Sequence, residues 1–123
     1  MNVIIICERS GIIREAFIEK GHKAVSCDLA DTETPGPHII ADCRSLDYSR
    51  FDLLIAHPPC QYLTKAGGGK FWNEHRLEQN EAVSFVLWIW NLPVERSRTI
   101  GIIKPAWLTH QAGYLYHAGY SVI

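Results

Sequence analysis

Residues 2–28, NVIIICERSGIIREAFIEKGHKAVSCD, decide the fold. Residues 2–7 are an apolar, β-branched run, the pattern of a parallel strand buried on both faces. Glu8, Arg9, Ser10 and Gly11 make the turn after it. Residues 12–20 carry Ile13, Ala16, Phe17 and Lys20 at helical spacing, and Gly21 supplies a C-terminal stop. Residues 23–27 are a second strand, closed by Asp28. A strand, a helix and a strand within about 28 residues form the building block of a doubly wound parallel sheet.

The rest of the chain extends that unit. Residues 31–37 are a polar loop with two prolines and a glycine, and residues 38–41 a short third strand ending at Asp42. Residues 44–50 are a connector with about one helical turn. The stretch 51–69, FDLLIAHPPCQYLTKAGGG, begins as a strand over residues 51–56. Pro58 and Pro59 stop it, because neither has an N–H for a ladder and both fix φ. Cys60 then stands on a stiff turn just past the strand's carboxyl end, with three glycines downstream. A thiol on a rigid turn beside a glycine loop reads as a nucleophile with a lid. Residues 73–90 are a long helix whose apolar face holds Leu77, Val83, Leu87 and Trp90 beside Phe85 and Val86. Residues 91–93 end it, residues 100–103 are a fifth strand, and residues 106–123 are aromatic with weak periodicity.

Acids and small polar turns close three of these strands on one sheet edge: Glu8 with Ser10 and Gly11, then Asp28, then Asp42. In open α/β sheets that edge binds ligands, and an acid closing the second strand is the usual partner of ribose hydroxyls. The spacing from Cys7 to Asp28 fits that arrangement. The glycines do not fit a dinucleotide: ERSG has a single glycine where a pyrophosphate loop needs several. An adenosyl ligand without phosphates, such as S-adenosylmethionine, is the better match.

Composition sets the remaining bounds. A chain of 123 residues supports one core, so we expect one domain over residues 1–123. The net charge of −1 gives no global basic field for nucleic acid. Cys7, Cys27, Cys43 and Cys60 show no CxxC or Cys/His pairing at zinc spacing, so no metal is expected. Reduced thiols at strand ends, no signal-like N-terminus and no membrane-length apolar run lead to a cytoplasmic expectation.

With these pieces placed, the sequence resembles the DNA cytosine-5 methyltransferases, most of all the short phage and prophage members. The resemblance is carried by IICERSGIIREAFIEKGHKAVSCDL, by PGPHIIADCRSLDYSRFDLLIAHPPCQYLT, and by the helix up to NLPVER, together roughly residues 1–96. It implies a Rossmann-like three-layer sandwich with a mostly parallel sheet, a truncated methyltransferase fold, and S-adenosylmethionine as cofactor. Cys60 would be the thiolate that adds to carbon 6 of cytosine. Glu8, Ser10, Gly11 and Pro58 would belong to the cofactor site, with Ser10 and Gly11 under the methionine part. Asp28 would hold the ribose hydroxyls and Asp42 would approach the adenine amino group. The target base must leave the duplex first, at roughly a few kcal/mol.

The departures are specific. His57 stands where larger members carry a glycine. The family's Ile-Glu-Asn-Pro-like strand end, whose glutamate protonates ring nitrogen 3, is matched here by IIKP, with Ile103 at the acid's position. Residues 97–123 diverge and read as a truncated or frame-shifted end, without room for a target-recognition segment. The expectation is a methyltransferase-like chain inactive alone, touching DNA only with a completing partner chain. The alternative is a non-catalytic prophage remnant or binding module that keeps the fold. An amino-methyltransferase is a third reading, opposed by the cysteine and glutamine of HPPCQ. Apolar surface left by a shortened sheet gives a reason for homo-oligomers, with no membrane partner.

Overall fold

The computed structural model describes residues 1–59, 62 and 74–94 and the backbone of 101–102. They fall in two compact units, Met1–Pro58 with Leu92–Ile102, and Pro59–Asn91 with Ile103–Ile123. The first unit is an α/β assembly built on an all-parallel sheet. Its strands are β1 (Asn2–Ile6), β2 (Lys23–Asp28), β3 (His38–Ile40), β4 (Leu53–Ala56) and the two-residue β5 (Gly101–Ile102), in the order β3-β2-β1-β4-β5.

The β1 side chains explain why this strand is central. Val3, Ile4, Ile5 and Ile6 are all fully buried, as a strand covered on both faces requires. In register, Asn2 to Ile6 pair Lys23 to Cys27 on one side, and Val3 to Ile6 pair Leu53 to Ala56 on the other. Helix α1 (Ile12–Glu19) covers one face: Ile13, Phe17 and Ile18 pack with Val3, Ile5 and Ala24. Ala16 and Lys20, at the same spacing, face solvent. The helix ends as its glycine foretells. Gly21 has φ 83°, its N–H donates to Ile18 O and that of His22 to Phe17 O, and the Phe17 and His22 rings meet at 5.9 Å. These are the paired bonds and the apolar contact of a Schellman stop.

Several boundaries differ from those the sequence indicates, one strand being longer and two shorter. The second strand runs through Asp28, the third stops at Ile40, and the fourth starts at Leu53, after a turn in which Phe51 N–H donates to Tyr48 O. The connector holds one 3₁₀ turn, Cys43–Ser45, and the buried Tyr48 hydroxyl donates to Cys43 O at 2.7 Å.

In the second unit the described element is helix α2 (Arg76–Trp90). Val86 of the expected face is buried, but Leu77 is 78% exposed, and Gln79 and Ile89, outside the expected set, are buried. Gln79 earns its burial by donating through Nε2 to Tyr62 O. Glu78 sits in the first turn, where the helix dipole favours a carboxylate. Backbone hydrogen bonding and the His75 ring hold its carboxyl below the ordinary range. No helix among the described residues is long and apolar enough to cross a membrane.

Candidate ligand site at the carboxyl edge of the sheet

Because every strand is parallel, the residues that follow β1, β2, β3 and β4 share one edge. That edge gathers Glu8, Ser10, Gly11, Asp28, Asp42 and Pro58, all in the first unit. Cys60, the expected nucleophile, and Ile103 lie outside the described residues. The strand order reverses between β1 and β4, since β2 and β3 lie on one side of β1 and β4 on the other. At such a reversal the two loops diverge and a crevice opens beyond the carboxyl ends.

The turn after β1 is shaped by two left-handed residues. Cys7 has φ 56°, a conformation that costs a non-glycine residue about 1–3 kcal/mol and clusters at functional sites. Beyond it, Glu8 N–H donates to Cys27 O at 3.2 Å, so the β1–β2 ladder continues past the bend. Gly11, at φ 78°, is the N-cap of α1. Its N–H donates to Glu8 Oε1 at 2.7 Å, and the Ser10 hydroxyl donates to the same oxygen. Glu8 is only 5% exposed, and its second oxygen, Oε2, is buried with no hydrogen-bond partner among the described residues. A carboxylate therefore occupies the helix N-terminus where a phosphate would otherwise bind.

The other two acids are committed to their own loops by one oxygen each. Asp28 Oδ1 accepts from Ala30 N–H at 3.0 Å, and Asp42 Oδ1 from Arg44 N–H at 2.9 Å. Asp28 is half-buried and Asp42 exposed. Leu29 beside Asp28 is 76% exposed, so apolar surface borders that carboxylate. At the end of β4, His57 N–H donates to Ile6 O at 3.1 Å, and its ring Nε2 is buried without a partner among the described residues. Pro58 follows, half-buried.

Three thiols line the same edge. Cys7 and Cys43 share a hydrogen bond, which together with burial pushes the Cys7 thiol well up; on Cys43 the same bond outweighs burial and holds the thiol below its ordinary value. Cys27 donates to Ala41 O at 3.4 Å, and burial pushes it up to about 11. All three are free thiols, Cys27 and Cys43 buried and Cys7 half-buried. Among the described residues no group of side chains is arranged to hold a metal.

The residue that sequence reasoning missed is Arg14. It is fully buried, yet it sits one position after Ile13 in a helix whose pattern gives no sign of it. Its Nε donates to Glu15 Oε1 at 2.9 Å, Nη1 to Ser26 Oγ at 2.9 Å and to Thr32 Oγ1 at 3.2 Å, and Nη2 to Thr34 O at 2.6 Å. Ser26 Oγ is 2.7 Å from His38 Nδ1, and His38 Nε2 is 2.9 Å from Ala30 O. A carbonyl only accepts, so His38 carries its proton on Nε2 and Nδ1 accepts from the serine hydroxyl. One guanidinium thus ties α1, β2 and the loop after Asp28 together.

Gly11 is tied into this arrangement. A Cβ there would lie 2.6 Å from Arg14 Nη2 and 3.0 Å from Thr34 Cβ, on a left-handed backbone. We expect Gly11→Ala to destabilise the protein by at least about 1–2 kcal/mol from the backbone term alone. The urea unfolding midpoint reads this directly, and an unchanged midpoint would show that the turn relaxes freely.

Comparison of the chain with models of known protein families, with characterised proteins and with solved structures finds no match.

Proposed function

We infer that the chain is a Rossmann-like, S-adenosylmethionine-binding domain of DNA cytosine-5 methyltransferase type that does not turn over alone. The observation that carries the reading is the Glu8 carboxylate seated on Gly11 N–H at the start of α1. That seat repels a pyrophosphate and leaves the turn suited to an adenosyl ligand without phosphates. The strand order, reversing beside β1, is the one in which such ligands lie across the carboxyl edge. Asp28 with exposed Leu29 offers a carboxylate for ribose hydroxyls next to an apolar surface for a base. The PPCQ segment after β4 supplies the thiol of the cytosine-5 reaction. DNA becomes a substrate only when a second chain contributes what this one lacks.

Calorimetric titration with S-adenosylmethionine tests the reading. Wild type should bind, and Asp28→Ala should weaken binding about tenfold, or about 1.4 kcal/mol, the scale of a hydrogen bond to a charged group. Circular dichroism controls for the lost bond to Ala30. No heat from wild type at millimolar ligand would end the cofactor assignment and leave a fold without a ligand.

A further inference from the structure

Three thiols gather at the carboxyl end of β2, and two of them already touch. In the sheet β2 lies between β1 and β3. On the β1 side the chain passes Cys7 and regains the ladder where Glu8 N–H donates to Cys27 O at 3.2 Å. On the β3 side Ala41 N–H donates to Asp28 O at 3.0 Å, and Cys43 opens the 3₁₀ turn two residues later. Cys7 and Cys43 thus reach the end of β2 from its two opposite neighbours, and a hydrogen bond joins their side chains. The third thiol, Cys27, is fully buried and donates to Ala41 O.

The two bonded thiols are held differently. Cys43 is anchored, because its carbonyl accepts from the buried Tyr48 hydroxyl and Asp42 Oδ1 caps its turn through Arg44 N–H. Cys7 stands instead on a left-handed backbone, at φ 56°. Their shared bond lowers the Cys43 thiol against burial and joins burial in raising Cys7, so Cys43 ionises first with Cys7 donating to it. Only a thiolate attacks, and a thiolate beside a second thiol is the arrangement of peroxide-sensing proteins. We propose that Cys43 and Cys7 are a redox pair, in which Cys43 takes oxidation by hydrogen peroxide and Cys7 resolves it to a disulfide. The Cys43 sulfur attacks one peroxide oxygen, forming a sulfenic acid and expelling hydroxide. The Cys7 sulfur then attacks the sulfenic sulfur, the S–S bond forms, and water leaves with the Cys7 proton. Two thiols lose two electrons in all, and one peroxide becomes two waters. Cys43 is only 7% exposed, which suits an oxidant as small as peroxide. This pairing goes beyond the ligand reading above and stands without it.

The test oxidises the folded full chain with stoichiometric hydrogen peroxide, alkylates what remains, and maps the fragments by mass spectrometry without reduction. Cleavage after basic residues and before aspartates places Cys7, Cys27 and Cys43 on separate fragments. The Cys7 and Cys43 fragments should appear joined, two hydrogens lighter than their sum, and separate on reduction with dithiothreitol. The same treatment in urea should lose that selectivity. Cys7→Ser should strand Cys43 as a sulfenic acid that dimedone captures. Cys43→Ser should leave Cys7 reacting at least about tenfold more slowly than Cys43 does in wild type. If either variant does not fold, the wild-type map decides by itself. A link from either thiol to Cys27 or Cys60, or full alkylation of Cys43 after peroxide, would overturn the pair.

Discussion

Arg14→Ala should unfold the protein or bring it close to unfolding. The guanidinium is fully buried and donates to a carboxylate, two hydroxyls and a carbonyl. Truncation leaves Ser26 and the carbonyl of Thr34 short of a donor and opens a void between α1 and the loop after β2. Breaking a buried, hydrogen-bonded charge pair costs about 3–5 kcal/mol. Glu15, the charged partner, is 35% exposed and recovers some solvation, so the neutral partners carry most of the loss. A domain of this size holds only about 5–15 kcal/mol in total. Arg14→Lys should recover little, because an ammonium cannot serve four acceptors in one plane. Urea denaturation followed by far-ultraviolet circular dichroism measures both variants. An Arg14→Ala midpoint within experimental error of wild type would mean that water replaces the guanidinium at no loss.

The second large effect is an absence: the isolated chain should transfer no methyl group to DNA. In the cytosine-5 reaction, thiolate addition pushes charge onto ring nitrogen 3, and an acid must meet it there. Position 103 is isoleucine. Loss of one well-placed stabilising group costs about 10²–10³-fold in rate. The net charge of −1 brings no compensating attraction to phosphate. Incubation with tritiated cofactor and mixed-sequence duplex should leave the DNA unlabelled. Label in carbon 5 of cytosine, abolished by Cys60→Ala, would show that another residue replaces the acid.

Local patterns in the sequence are enough to read the sheet and the acids gathered at its carboxyl edge. An uninterrupted β-branched run becomes the central strand, Gly21 ends α1 through a left-handed residue, and acids close the strands on one edge. What is not legible is set by partners distant in the chain. Arg14 looks like a solvated helix position until Ser26, Thr32 and Thr34 fold over it. Leu77 looks like core from its spacing, yet α2 turns Gln79 inward because Tyr62 O offers its amide an acceptor. His57 is legible as the residue before two prolines that stands at a family glycine; the burial of its ring Nε2 depends on the strand beside it.

The register of the sheet also favours one order of assembly on loop-closure entropy. β1 and β2 pair residues 21 positions apart, and β2 and β3 pair residues 12 apart, whereas β1 and β4 pair residues 50 apart. Closing the short loops loses less chain entropy, so β1, β2, β3 and the Arg14 network can assemble first. Until residues 53–56 arrive, one side of β1 is then an open strand edge carrying four fully apolar positions. Such an edge is a template for a second chain. Pulsed hydrogen exchange during refolding should protect the amides of β2 before those of β4, and aggregation should rise with protein concentration only within that interval. Simultaneous protection of both strands would mean instead that the distant pairing forms in the same step as the near ones.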